Sequence, residues 1–161
     1  MSKQVQAIPE GHHTVTPDLV FRETARAIEF YQRAFGAREL MRFTMPDGKI
    51  GHAEIKIGDS IVMLCDENPQ GGCAAPASLH GTTAMFFLYV EDVDAAFARA
   101  VKAGATVVMP VADMFWGDRS GHVQDPFGHR WQLATHKEDL TPEQVTQRAQ
   151  EFFANLPKRP Q

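Results

Sequence analysis

Cysteine is scarce in this chain, with two among 161 residues, Cys65 and Cys73. One disulfide is the most they can form, which excludes a cross-linked secreted scaffold. With no export signal, both are expected as free thiols in a reducing compartment. Long apolar runs are also missing. The longest, Ala84 to Val90, falls far short of the roughly 20 residues a membrane helix needs, and Met1-Ser2-Lys3-Gln4 lacks the apolar core of a signal peptide. The expected location is the cytoplasm, away from any membrane. Positive charge is in deficit: 16 Lys and Arg stand against 20 Asp and Glu, a formal net charge of −4. No basic stripe is present to gather phosphates, which argues against nucleic acid as a partner.

What the chain does have is 43% hydrophobic residues and enough length for one compact core. Thr14 to Phe21 reads as a strand that Pro17, lacking an amide donor, confines to an edge or a bulge. Ala27, Ile28, Tyr31, Ala34 and Phe35 then fall at helical spacing, with Thr24 as N-cap and Gly36 as stop. Met41, Phe43 and Met45 alternate with polar residues up to Pro46-Asp47-Gly48. Alternation resumes through Ala53, Ile55 and Ile57, and Gly58-Asp59 turns the chain into Ser60 to Leu64. A Pro, Gly, Ala and Ser-rich connector follows. The order then repeats: a strand from Ala84 to Val90, a helix opened by Asp92 and closed by Gly104, and strands ending at Thr135.

A shift of 68 residues places Ala27 on Ala95 and Gly36 on Gly104, and a shift of 70 places Gly51-His52 on Gly121-His122. Two like halves are expected, divided as an N-terminal arm (1–12), a first βαβββ module (13–67), a connector (68–82), a second module (83–137) and a C-terminal helix with its tail (138–161). The last helix starts at Thr141-Pro142-Glu143-Gln144, and Val145, Ala149, Phe152, Phe153 and Leu156 form its apolar stripe. That stripe must pack on its own domain or on a second subunit.

The motifs Ala27-Ile28-Glu29-Phe30-Tyr31, Ala34-Phe35-Gly36-Ala37, Val90-Glu91-Asp92-Val93-Asp94 and Asp125-Pro126-Phe127-Gly128-His129 resemble the vicinal-oxygen-chelate superfamily, and within it the PhnB-like branch. The superfamily includes glyoxalases, bleomycin-resistance proteins and dioxygenases. The resemblance implies an α+β fold of two βαβββ modules in an open barrel, a small-molecule cavity and a homodimer. It does not settle function, because members include metal-dependent lyases, isomerases and dioxygenases as well as metal-free binders of antibiotics.

In the metal-using members four ligands, mostly His, Glu or Gln, come from the first and last strands of each module. Those positions fall at or next to Thr16, Val62, Met85 and Gln132, of which Gln132 alone has a suitable donor. The usual metal centre is therefore not expected, and any divalent cation would need a shifted ligand set. Period-two alternation places His52 and Glu54 opposite the apolar face of their strand, with His122 as the repeat counterpart of His52. These three are the candidates for acid/base chemistry or for the shifted set, unless they are simply polar residues on a wet sheet face. Phe115, Trp116 and Arg119, with Gln132, Met85 and Thr16, are the candidate ligand wall, suited to an apolar or aromatic organic molecule. The competing reading puts Phe115 and Trp116 in a core or interface and pairs Asp118 with Arg119 across a local turn. Cys65, beside Asp66, is not expected to be a nucleophile.

Overall fold

The structure, a computed structural model, describes residues 5–155. The first four residues of the expected arm, Leu156 of the expected stripe and the rest of the tail lie outside that range. The first module runs β1 (Asp18–Phe21), α1 (Thr24–Phe35), β2 (Arg38–Thr44), β3 (Ile50–Ile57) and β4 (Ser60–Asp66). The second runs β5 (Met85–Tyr89), α3 (Val93–Ala103), β6 (Thr106–Asp113), β7 (Asp118–Gln124) and β8 (Arg130–His136). Between them the connector makes a single 3-10 turn and a four-residue helix, α2 (Pro76–Leu79), and α4 (Pro142–Ala154) closes the described chain.

The two sheets have the same order, β1-β4-β3-β2 and β5-β8-β7-β6, each with one parallel pair among antiparallel ones. Register makes the duplication concrete. Leu19 pairs with Leu64 in the first sheet and Leu88 with Leu133 in the second, a common offset of 69 residues. The same offset relates the residues that cap the module helices. Asp66, at the end of β4, accepts the Thr24 amide at 2.7 Å, and Thr135, near the end of β8, accepts the Val93 amide at 2.9 Å. Each helix start thus takes a partner from the module's last strand, which satisfies one of the otherwise orphaned amides. This corrects the reading of Thr24 as N-cap: Glu23 holds that position without a side-chain cap, and Thr24 is the first helical residue.

The first strand is shorter than the sequence pattern suggests. It begins at Asp18, immediately after Pro17, because the proline offers the ladder no donor. Within β3 the alternation holds: Ala53, Ile55 and Ile57 are buried on the helix side, and His52, Glu54 and Lys56 face away. The helix-side layers of both sheets merge into one core through an aromatic junction. Tyr31 and Phe35 of α1 lie 5.4 Å and 4.8 Å from the Trp131 ring of β8, and Phe21 lies 5.5 Å from Phe127. The modules therefore fold as one unit around shared rings, not as two separate cores.

Candidate ligand-binding face

With the helix sides of both sheets filled, the outward faces carry the exposed chemistry. On the second sheet, Phe86, Leu88, Trp131 and Leu133 point inward, which turns Met85, Phe87, Tyr89 and Gln132 outward. Phe87 and Tyr89 are 45% and 61% exposed, and their rings lie 4.8 Å apart. Free aromatic rings side by side on a strand are unusual unless something covers or uses them.

Beneath Tyr89 sits a carboxylate that is 3% exposed. Asp118 accepts the Tyr89 hydroxyl at 3.1 Å and the Trp116 indole N–H at 3.0 Å on Oδ2, and His136 Nδ1 at 2.7 Å on Oδ1. One buried oxygen therefore fixes the polar tips of two rings, Tyr89 exposed and Trp116 half-buried with Phe115 edge-to-face against it at 4.9 Å. His136 Nε2 lies 3.1 Å from Asp139. A carboxylate at each ring nitrogen favours the imidazolium, so its pKa is raised, chiefly by Asp118 and then by Asp139. Asp118 and partial desolvation likewise hold the Tyr89 phenol above its ordinary range, burial contributing most.

Gln132 donates to Ser120 Oγ at 3.1 Å and is only 5% exposed. Directly across the ladder is His122, whose Nε2 is buried with no partner among the described residues, and burial lowers its pKa. On the first sheet, Glu54 Oε1 lies 3.3 Å from His52 Nε2 and 3.6 Å from His12 Nε2, the latter reaching over from the arm. The structure thus joins His52 to Glu54 and adds His12, while His122 sits on the other sheet beside Gln132.

The proposed ligand wall divides. Trp116, Gln132 and Met85 belong to the second sheet's outward face. Phe115 turns instead to α4, with Phe152 and Phe153 at 5.4 Å and 5.8 Å. Arg119 points to the opposite face from Asp118 and is held by Asp94 at 2.7 Å and Asp113 at 3.1 Å. The local Asp118–Arg119 pair is therefore replaced by two separate networks, since neighbouring strand residues alternate faces. Thr16 bonds the His13 carbonyl at 3.0 Å and borders a cavity of about 210 Å³ shared with Phe87 and Trp131. Burial pushes the Cys65 thiol up to about 11, which removes it as a nucleophile near neutral pH.

The four positions that hold the metal in related enzymes do not fit a divalent cation here. The offset of 69 residues places Met63, not Val62, on Gln132, since Val62 is buried on the helix side like Trp131. Thr16, Met63, Met85 and Gln132 offer a hydroxyl, two soft thioethers and an amide already engaged with Ser120. Among the described residues no three His, Cys, Asp or Glu side chains are arranged to hold an ion.

Residues 12–133 match the family profile of the Glyoxalase/Bleomycin resistance protein/Dioxygenase superfamily, and the chain belongs to that superfamily. An uncharacterized protein of Mycobacterium tuberculosis (strain ATCC 25618 / H37Rv) is 46% identical over 134 residues, covering 81% of this chain and 79% of its own. Among solved structures, TioX from Micromonospora sp. ML1 is 33% identical with a TM-score of 0.62, over 77% of this chain and 98% of that one. A PhnB protein from Bacillus cereus shares the fold at 18% identity, with a TM-score of 0.60 over 76% of this chain and 99% of that one. No described helix is long and apolar enough to cross a membrane.

Proposed function

We propose that this chain is a PhnB-like small-molecule-binding protein of the cytoplasm, working as a homodimer without the usual four-ligand metal centre. Its ligand is an apolar or aromatic organic molecule held on the outward face of the second sheet. The observation that carries this reading is the pair of rings, Tyr89 and Trp116, anchored tip-first on the buried Asp118 carboxylate. Rings fixed before a ligand arrives lose little freedom on binding, and the exposed Tyr89 ring, with Phe87 beside it, suits stacking against a planar molecule. Met41 and Phe43 on the first sheet, and Met85 and Phe87 on the second, are further exposed apolar side chains that favour a second copy as cover.

The test labels the protein with 5-fluorotryptophan, which gives separate ¹⁹F signals for Trp116 and Trp131, and titrates fused two-ring and three-ring aromatic compounds. Saturable movement of the Trp116 signal supports the reading; no movement up to millimolar concentration overturns it. A second reading, metal-dependent lyase, isomerase or dioxygenase chemistry on a shifted ligand set, draws on the approach of His52 and His12 to Glu54, and requires these three side chains to rearrange, since as they stand they do not form an ion site. Stoichiometric divalent metal in protein purified without a histidine tag, lost in Glu54→Gln, would favour it.

A further inference from the structure

A second cleft, of about 560 Å³, lies at the module junction under the connector. Its walls are mostly apolar and include Leu19, Val20, Pro76, Leu79 and Phe86, with His129 of the turn before β8 among them. Neither the rings over Asp118 nor the His52 and Glu54 cluster borders it.

The roof is prebuilt. A four-residue helix such as α2 cannot hold itself together, and here it is tied from outside. Glu67 accepts the Ala75 amide at 3.1 Å and the Ser78 hydroxyl at 2.6 Å, and Arg22 donates to Ser78 at 2.9 Å. Pro76 lies so close to Gly128 that a Cβ there would approach it to 3.0 Å. The helix ends at His80, the one described non-glycine residue with positive φ, at 55°. Such a conformation persists where surrounding contacts enforce it.

His129 gives the cleft its chemistry. Its Nε2 lies 3.1 Å from the Val20 carbonyl, an acceptor, so Nε2 carries the hydrogen. The ring is 6% exposed, and burial lowers its pKa, which keeps it neutral at pH 7. Nδ1 is then a bare lone pair with no protein partner among the described residues, on a side chain lining the cleft. The remaining ionisable side chain on the lining is Asp18, and no cation lines it. Asp18 is exposed at the rim, so its solvent-screened charge disfavours anions only weakly, and an anion also lacks the hydrogen to donate to Nδ1.

We infer that this cleft is a second small-molecule site, taking an uncharged or cationic apolar molecule that donates one O–H or N–H hydrogen bond to His129 Nδ1. The probes are 2-naphthol, 2-methoxynaphthalene, which has the same ring without the donor, and 2-naphthoate, the anion. Each is titrated into ¹⁵N-labelled protein while the amides of Val20, Leu79 and Ala84 are followed. The expected result is saturable binding of 2-naphthol, about tenfold weaker binding of the methyl ether, as loss of one buried hydrogen bond implies, and weaker binding still of the anion. Ala84→Trp, at an exposed lining position, abolishes the cleft shifts, and His129→Phe equalises 2-naphthol and its ether. The site is overturned if 2-naphthol moves none of these amides, if the two neutral probes bind the wild type equally, or if binding survives Ala84→Trp. Should His129→Phe fail to fold, the probe pair and Ala84→Trp decide. Trp116 reports the other face throughout, so neither result depends on the other.

Discussion

The phenol of Tyr31 in α1 donates a 2.6 Å hydrogen bond to the Asp125 carboxylate in the turn before β8, linking the modules across 94 residues of sequence. The same carboxylate accepts the Trp131 indole at 3.2 Å and the amides of Phe127 and His129 at 3.0 Å and 2.9 Å. Four donors converge on one buried acid, so its charge is well satisfied, while burial first and Asp125 second hold the Tyr31 phenol above its ordinary range. Tyr31→Phe removes one of the four and is expected to cost about 1.5 to 3 kcal/mol, the range for a hydrogen bond to a charged group. Asp125→Asn, which places amide hydrogens among existing donors, should cost more. Urea unfolding followed by tryptophan emission measures both, and a loss under about 0.5 kcal/mol for Tyr31→Phe would show the link to be weak.

Gly117 permits the turn between Trp116 and β7. Its φ is 96°, and a Cβ there would lie 2.5 Å from the Glu138 carbonyl oxygen, a backbone atom that no rotamer change can move aside. Its own carbonyl accepts the amides of Lys137 and Glu138, both at 3.0 Å, tying the end of β8 to this turn. Gly117→Ala should therefore destabilise by about 2 to 4 kcal/mol, combining left-handed strain with overpacking. Gly36→Ala is the control: it shares the positive φ of 67° but meets nothing within 4 Å, and should cost about 1 kcal/mol.

Most of this fold was legible in periodicity, because each half buries one face of its sheet and of its helix. Ala53, Ile55 and Ile57 against His52, Glu54 and Lys56 is that signal at its plainest. Part of the site was not legible, for a physical reason. Every residue from Met85 to Tyr89 is apolar or aromatic, so the alternation that turns Phe87 and Tyr89 outward leaves no mark in hydropathy. Asp118 and Arg119 are adjacent in sequence and opposite in charge, which suggests a pair, yet the strand sends them to opposite faces. His12 reaches Glu54 by way of an irregular arm, and no periodic pattern describes such a path.

Tyr89→Phe and Trp116→Phe test the ring pair over Asp118. Each removes one donor from a carboxylate that keeps two others, so the protein should lose about 1.5 to 3 kcal/mol of stability, as for Tyr31→Phe, and stay folded. The freed ring is no longer held by its tip, and planar aromatic compounds that bind this face should do so about three- to tenfold more weakly, by isothermal titration. Arg119→Lys, on the other side of the sheet, should leave that affinity unchanged. Equal weakening in all three variants would mean that the rings are not the binding surface.

The His136 imidazolium, flanked by Asp118 and Asp139, supplies a pH dependence of defined sign. Its folded pKa is raised above the ordinary 6.5, so the folded state binds the proton more tightly than the unfolded chain. The resulting stabilisation is complete below about pH 6.5 and is lost as the pH climbs through the higher folded value. The urea midpoint of the wild type should therefore fall relative to His136→Gln, which lacks the titration, as the pH rises above 6.5. The imidazole proton resonances give the direct check: His136 should titrate above 6.5 in the wild type and fall toward it in Asp118→Asn. A wild-type midpoint that titrates below 6.5 would mean that the two carboxylates do not hold the charged ring in solution.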